Sequence, residues 1–114
     1  MAHNLYLVFS KPPTGVSSED FHRWYADHAQ ENIESPRFVS AQRYTVRRII
    51  SGVEESSHEH LAAYEYDGTY EEWRDHLSGR LKSGDVVLPE WFREIAFESF
   101  DCAPVGDRLT PQGR

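Results

Sequence analysis

The spacing of apolar residues changes along the chain, and each spacing predicts a different element. The apolar run NLYLVFS at residues 4–10 ends at KPPTG, where prolines and a glycine stop extended structure. We therefore predict a first strand over 4–10. Further on, EEWRDHL carries apolar residues at helical spacing, whereas FVSAQRYTVRRII and HEHLAAYEY are rich in the β-branched and aromatic residues that strands favour.

The first helical stretch has an aromatic stripe that ends in a histidine. Its members fall at i, i+3, i+4 and i+7 and are Phe21, Trp24, Tyr25 and His28. Ser17 or Ser18 can cap this helix, and Pro36 disfavours helical backbone before it. We predict a helix from Ser18 to Ile33.

Two strands and a second helix follow. We expect a long strand over Phe38–Ile50 and a third strand in HEHLAAYEYDG, paired as a hairpin. Alternation places one set of the third strand on a single face, namely His58, His60, Ala62, Tyr64 and Tyr66. Thr69 and Glu72 form a capping box for a helix whose stripe continues through Tyr70, Trp73, Leu77 and Leu81.

The C-terminal part predicts a short helical turn after Pro89, a fourth strand in EIAFESF, and an arm with few apolar residues. We predict one ferredoxin-like α+β domain over 1–102, and a flexible arm over 103–114 that contributes little to the core. The order β-α-β-β-α-β gives a four-stranded antiparallel sheet with helices on one face. Because no further element covers the other face, we expect a homodimer.

Composition narrows the setting of this domain. A net charge of -7 in 114 residues repels phosphate backbones and anionic lipid surfaces, so we expect neither a nucleic acid nor a membrane as a partner. The chain has one cysteine, no apolar run long enough to span a bilayer, and no recognisable secretory signal at its start. These features predict a cytoplasmic protein. Aromatic residues make up 13% of the chain, which suits a pocket or an interface.

Residues 21–46, FHRWYADHAQENIESPRFVSAQRYTV, resemble a segment of EthD-domain and related dimeric α+β-barrel proteins. That segment has F-x-x-W-Y, then a histidine, a short connection, and a strand that reads A-Q-R-aromatic. The chain departs from it after His28, where related sequences have x-P-D, and at Pro36-Arg37, where they have a Pro-Gly turn. The resemblance implies a dimer with a pocket between helices and sheet in each subunit. Relatives in this superfamily include cofactor-independent cyclases, isomerases and monooxygenases, and some haem enzymes.

His28 is the candidate catalytic residue that the resemblance carries over, with Gln42 and Arg43 as weaker candidates. Two interpretations stay open for His28: a buried imidazole bonded to a carbonyl or a tyrosine hydroxyl, or a general acid/base that needs a pKa near the working pH. The expected substrate-binding residues are Trp24, Tyr25, Gln42, Tyr44 and Tyr64. For Arg43 we expect ion pairs with glutamates of the sheet.

Metal and haem sites are alternatives to this interpretation. His58 and His60 form an H-x-H pair, but a zinc site needs a third protein ligand that the sequence does not supply in an evident place. A single histidine such as His28 or His76 is no haem motif. We expect no metal and no cofactor.

The sequence therefore predicts a small cofactor-independent enzyme that acts by proton transfer on an aromatic or polyketide-like molecule, as a cyclase, isomerase, lyase or monooxygenase. The alternative is a non-catalytic small-molecule-binding or accessory protein of the same fold. In that case His28 only donates a hydrogen bond.

Overall fold

The computed structural model describes residues 3–47, 49, 59–84 and 88–113. In these residues the elements follow the predicted order, with a short 3-10 helix before the last strand. They are β1 (Asn4–Lys11), α1 (Ser18–Ile33), β2 (Phe38–Thr45), β3 (His60–Tyr66), α2 (Tyr70–Ser83), the 3-10 helix (Glu90–Glu94) and β4 (Ala96–Cys102). The ferredoxin-like α+β fold is confirmed.

The strands form one antiparallel sheet in the order β2-β3-β1-β4. The predicted hairpin of β2 and β3 is present, with Tyr44 opposite Leu61 and Thr45 opposite His60. A register shift between Phe38 and Ser40 interrupts the alternation of β2 near its start.

Several predicted strand boundaries differ from those in the structure, starting with β1, which ends at Lys11 instead of Ser10. β2 ends at Thr45 instead of Ile50. The next residue, Val46, still donates its N–H to the Glu59 carbonyl, but the strand does not continue. Residues 48, 50–58 and 85–87 lie outside the described part of the chain, and with them the predicted strand residue His58. β4 covers 96–102 instead of 94–100, because the 3-10 helix takes up Glu94.

Both helices begin at the predicted caps. The Ser17 hydroxyl accepts a hydrogen bond from the Asp20 N–H at 3.1 Å, and Glu19 and Asp20 lie in the first turn, where the helix dipole favours carboxylates. At α2, Glu72 N–H donates to the Thr69 hydroxyl at 3.3 Å while the Glu72 carboxylate accepts from the Thr69 N–H at 3.1 Å. This is the predicted capping box.

The turn between α1 and β2 places a bulky residue in left-handed backbone. Arg37 has φ of +84°, a conformation that costs roughly 1–2 kcal/mol for a residue with a Cβ. Its carbonyl accepts from the Asp67 N–H at 2.7 Å, and its guanidinium lies 2.7 Å from the Glu72 carboxylate. A glycine at this position would adopt the same backbone conformation without that cost.

The two faces of the sheet differ in burial. Alternate residues of β3 are buried under the helices, as predicted for His60, Ala62, Tyr64 and Tyr66. Trp73 of α2 packs against this side, with its ring 4.6 Å from that of Tyr6. The side chain of Leu81, predicted to continue the α2 stripe, lies outside the described part of the structure.

The opposite sheet face, which we call the open face, is not covered by either helix. It presents partly exposed apolar residues from three strands, namely Leu5, Leu7, Phe9, Leu61 and Phe100. Residues 103–108 of the arm pass along one end of this face and enclose a cleft of about 430 Å³ with Leu5 and Glu65. Residues 103–113 are exposed and form neither helix nor strand. Among the described helices, none is long and apolar enough to cross a membrane.

Candidate functional site

A cavity of about 260 Å³ lies between α1 and the helix-covered face of the sheet. Tyr25, His28 and Asn32 reach it from one side of α1, because residues three, four and seven apart share a helix face. Tyr6 and Tyr64 reach it from β1 and β3. The helical spacing that made His28 conspicuous in the sequence therefore does place it at an internal space.

The imidazole of His28 is held by aromatic rings. It stacks on Trp24 with ring centroids 4.7 Å apart and planes 16° apart, and its ring lies 6.0 Å from that of Phe92. Its Nδ1 atom is buried and has no hydrogen-bond partner. Burial lowers the pKa of His28 to about 4, because an apolar environment disfavours the imidazolium. His28 is thus neutral at pH 7 and has a nitrogen that no protein group occupies.

Three polar side chains, two from α1 and one from β3, form a hydrogen-bonded group. The Asn32 amide donates to the Tyr64 hydroxyl at 3.2 Å, and the hydroxyls of Tyr64 and Tyr25 share a hydrogen bond. Burial raises the pKa of both tyrosines, so both stay phenols at neutral pH. Tyr25 donates in this bond and Tyr64 accepts, so the Tyr64 hydroxyl keeps one hydrogen that it can offer to a ligand oxygen without adding charge.

The remaining wall is apolar and comes from the second half of the chain. Phe92 of the 3-10 helix and Phe97 of β4 lie with ring centroids 5.4 Å apart, and Leu77 and Leu88 complete the lining. Ser99 of β4 is the small residue on this side. Every charged residue that the structure describes lies outside the lining of this cavity.

Of the six predicted catalytic and substrate-binding residues, three line the cavity and three lie elsewhere. His28, Tyr25 and Tyr64 line the cavity. Trp24 lies behind His28, where it packs on the imidazole and on Trp91. Gln42 and Tyr44 lie on the open face, on the far side of the sheet.

The register shift explains the placement of Gln42 and Tyr44. Phe38 lies opposite Tyr66 on the helix-covered side, and strict alternation from Phe38 would carry Gln42 and Tyr44 to the same side. The irregularity between Phe38 and Ser40 moves the later residues of β2 to the other face. No residue of β2, Phe38–Thr45, therefore lines the cavity.

Arg43 lies on the helix-covered side, and its contacts differ from the predicted ion pairs. Its guanidinium donates to the His22 carbonyl at 3.1 Å, lies 3.0 Å from His22 Nδ1, and sits over the Tyr25 ring at 4.8 Å. The planar guanidinium suits this combination of a carbonyl and a ring face. Arg43 therefore supports Tyr25 from behind the cavity.

Of the H-x-H pattern in the sequence, the structure describes His60, whereas His58 lies outside the described residues. His60 is 5% exposed, packs 4.9 Å from the Phe21 ring, and has no hydrogen-bond partner at either ring nitrogen. Within 3–47, 49, 59–84 and 88–113, no group of three histidine, cysteine or carboxylate residues is arranged to hold a metal ion.

The sequence interpretation missed several lining residues. Asn32 was detectable, since it lies four residues after His28 and seven after Tyr25 and so extends the same stripe. Ser99 and Phe97 depend on the register of β4 against β1, where Ser99 lies opposite Val8. No local pattern in the sequence indicates that pairing.

Comparison with known proteins places the chain by its fold. No family model matches the chain, and no curated protein matches its sequence. The crystal structure of At3g17210 from Arabidopsis thaliana is similar with a TM-score of 0.68 and 11% sequence identity, over 93% of this chain and 99% of that one. The crystal structure of a candidate monooxygenase from Shewanella loihica PV-4 is similar with a TM-score of 0.57 and 12% identity, over 94% of this chain and 99% of that one.

These likenesses establish the fold. They cover nearly the whole described architecture, so the ferredoxin-like arrangement is shared by the three chains. The resemblance to EthD-domain proteins stays a prediction.

Proposed function

We propose that the protein is a small cofactor-independent enzyme that transfers a proton to or from an aromatic or polyketide-like molecule, with His28 as the acid/base. The observation that carries the proposal is the buried Nδ1 of His28, which has no protein partner and belongs to a residue on the cavity wall. Buried polar atoms in folded proteins are nearly always hydrogen-bonded, so an unpartnered nitrogen on a histidine that lines a cavity supports a role for that residue with a ligand.

The proton transfer needs two groups, and the cavity has both. Neutral His28 removes a proton from an acidic carbon or a hydroxyl, leaving an imidazolium and an oxyanion or enolate. The Tyr64 hydroxyl, which accepts from Tyr25, donates to that oxygen and stabilises it, and the imidazolium then returns the proton to a different atom. Cyclase, isomerase, lyase and monooxygenase types of reaction can all begin with this removal of a proton.

In the empty cavity the pKa of His28 lies below the working pH that a general acid/base needs, and a bound substrate changes this. In the empty cavity an imidazolium has no counter-charge, which is why burial lowers its pKa to about 4. An enolate formed beside it supplies that charge and raises the pKa of His28 in the complex. The base is therefore strengthened by the intermediate that it generates.

We predict that His28→Gln abolishes proton transfer while keeping the fold. The probe is 4-methylcyclohexanone in D2O, in which exchange of the hydrogens beside the carbonyl is followed by NMR. Wild type should accelerate the exchange, and His28→Gln should lower the accelerated rate by about 10²–10⁴-fold, the usual contribution of a general acid/base. His76→Gln, at an exposed histidine of α2, is the matched control and should exchange like wild type. Equal rates for wild type and His28→Gln would remove His28 from the chemistry.

The lowered pKa also favours the second candidate, a non-catalytic protein that binds a small molecule. A neutral imidazole with a pKa of about 4 is a weak base but a good hydrogen-bond partner. In this case wild type binds the ketone and does not accelerate its exchange. His28→Gln then weakens binding alone.

The structural likenesses and the resembling segment support the enzymatic candidate. The Shewanella loihica protein is named as a candidate monooxygenase, and its fold is the fold of this chain. The segment FHRWYADH resembles EthD-domain proteins at the residues that place His28 on the cavity. Both observations point to a family of small pocket-containing enzymes.

We further propose that the protein is a homodimer in which two open faces pack together. The open face carries Phe100 at 45% exposure beside several partly exposed leucines, apolar surface that pairing with a second copy would remove from water. Light scattering at micromolar concentration should return twice the mass of one chain, and Leu7→Lys on the open face should return one chain mass. A wild-type protein with the mass of one chain would contradict the pairing.

A further inference from the structure

The lining of the cavity restricts the chemical class of its ligand. This inference rests on the proposed function of the same site and narrows it from aromatic or polyketide-like molecules to one class. Three properties of the cavity bear on the ligand: its volume, its charge, and the position of its polar atoms.

The volume sets the number of rings. A cavity of roughly 150 Å³ in a protein interior holds benzene. The cavity beside His28 measures about 260 Å³, below the roughly 300–1,000 Å³ of pockets for drug-sized ligands. One ring with two or three small substituents fits within this space, whereas three fused rings would extend out of it.

The charge of the lining excludes ions. His28 is neutral, Tyr25 and Tyr64 are phenols, and the other lining residues are apolar or carry an amide or a hydroxyl. Arg43 lies outside the lining, over the Tyr25 ring, and its guanidinium donates to the His22 carbonyl. A carboxylate or an ammonium in the cavity would be buried without a partner, which costs several kcal/mol.

The polar atoms require oxygen on the ligand. A hydrocarbon would offer no hydrogen-bond partner to the polar groups of the lining, such as the His28 imidazole and the Tyr64 hydroxyl, and an unpartnered buried polar atom costs about 1–3 kcal/mol. A ligand hydroxyl or carbonyl satisfies the imidazole or the hydroxyls of Tyr25 and Tyr64. The flat apolar surfaces of Phe92 and Phe97 suit the face of a ring.

We propose that the cavity takes an uncharged molecule of one substituted ring, a phenol or a cyclic enol or ketone, whose oxygen bonds within the group formed by His28, Tyr25 and Tyr64. Larger polyketides and carboxylated aromatic acids are excluded from it. The ring lies against Phe92 and Phe97.

Four probes test the three properties by calorimetry at pH 7. They are 4-methylphenol, toluene, 4-methylbenzoate and 9-phenanthrol. We expect 4-methylphenol to bind with a Kd at least about tenfold lower than each of the other three, since one lost hydrogen bond or one unpaired charge costs that much or more. Equal or tighter binding of 4-methylbenzoate or 9-phenanthrol overturns the inference, and so does absence of 4-methylphenol binding at millimolar concentration.

A variant locates the binding. Ser99→Phe adds a ring to the cavity side of β4 and should raise the Kd of 4-methylphenol at least tenfold, while Ser78→Phe on the exposed side of α2 should leave it unchanged. Circular dichroism shows whether Ser99→Phe is folded. If it is not, the test uses wild type, in which we expect nuclear Overhauser contacts from the methyl group of 4-methylphenol to Leu77 and Phe92. Contacts elsewhere, or an unchanged Kd in a folded Ser99→Phe, overturn the inference.

The outcome also separates this inference from the proposed enzyme. If 4-methylphenol binds with the expected selectivity and 4-methylcyclohexanone shows no accelerated exchange, the ligand class holds and the catalytic proposal fails. If exchange is accelerated while charged or three-ring probes bind as well as 4-methylphenol, the catalytic proposal holds and the ligand class fails.

Discussion

Tyr64 and Tyr44 are tyrosines on the neighbouring strands β3 and β2, but they lie on opposite faces of the sheet and differ in burial and in contacts. Tyr64 is 1% exposed and hydrogen-bonded at the cavity, whereas Tyr44 is 51% exposed on the open face. Packing under helices turns the helix-covered face into a site with unpaired polar atoms and shifted pKa values. The open face has partly exposed apolar residues and, at one end, the cleft formed with the arm. For these two tyrosines, the face of the sheet therefore decides whether the side chain is buried and hydrogen-bonded or exposed.

The largest effect should come from truncating the two tyrosines. Tyr64→Ala removes a fully buried ring and leaves Asn32 and Tyr25 without a partner, so we expect a loss of about 3–5 kcal/mol in the free energy of unfolding. Tyr44→Ala should cost about 0.5 kcal/mol within one chain. Urea unfolding measures both, and a loss at Tyr44 as large as at Tyr64 breaks the comparison. If the open faces pair, the loss at Tyr44 grows with protein concentration.

Acid should act mainly on the helix-covered face. Burial lowers the pKa of His28 from 6.5 to about 4, so between these pH values the unfolded chain binds a proton that the folded chain does not. The stabilisation is complete above pH 6.5 and is lost as the pH falls to 4, by about 3 kcal/mol. Burial also lowers the pKa of His60, which adds in the same direction.

Urea unfolding of His28→Gln at several pH values between 4 and 7 checks this dependence. The variant should show a flatter curve than wild type, and His76→Gln, at an exposed position, should match wild type. Curves of equal slope for wild type and His28→Gln would show that the helix-covered face does not hold His28 neutral.

The smallest effect concerns the turn that leads into β2, the strand whose register separates the two faces. Arg37→Gly relieves left-handed backbone worth roughly 1–2 kcal/mol and loses a half-exposed ion pair with Glu72 worth about 0–1 kcal/mol. We expect a net gain of about 1 kcal/mol in the free energy of unfolding. Arg37→Ala keeps the backbone strain and also loses the ion pair, so it should be less stable than wild type. A stable Arg37→Ala would contradict the role of the backbone.

The sequence was sufficient for the elements because their causes are local. Caps such as Ser17 and the Thr69–Glu72 pair act within one turn, and the stripe that ends in His28 follows from helical spacing. Tyr64 was found because β3 alternates without interruption.

The rest of the site depends on interactions between distant residues. Gln42 and Tyr44 were expected to bind the substrate, but they lie on the open face. A single irregularity between Phe38 and Ser40 reverses the face of every later side chain of β2. Phe97 and Ser99 enter the cavity through the pairing of β4 with β1, and Phe92 through a 3-10 helix with no periodic pattern. Strand register and irregular turns are set by the whole fold, so local spacing did not reveal these residues.

The stack of Trp24 on His28 has a consequence for spectroscopy. An indole 4.7 Å from an imidazole loses fluorescence when that imidazole becomes a cation, since the imidazolium accepts an electron from the excited ring. Trp91 lies 5.0 Å from Trp24 and can pass its excitation to it, while Trp73 lies on the other helix with its own partners. The emission of the protein therefore reports the protonation of His28 directly, and a ligand that changes it is visible without a label.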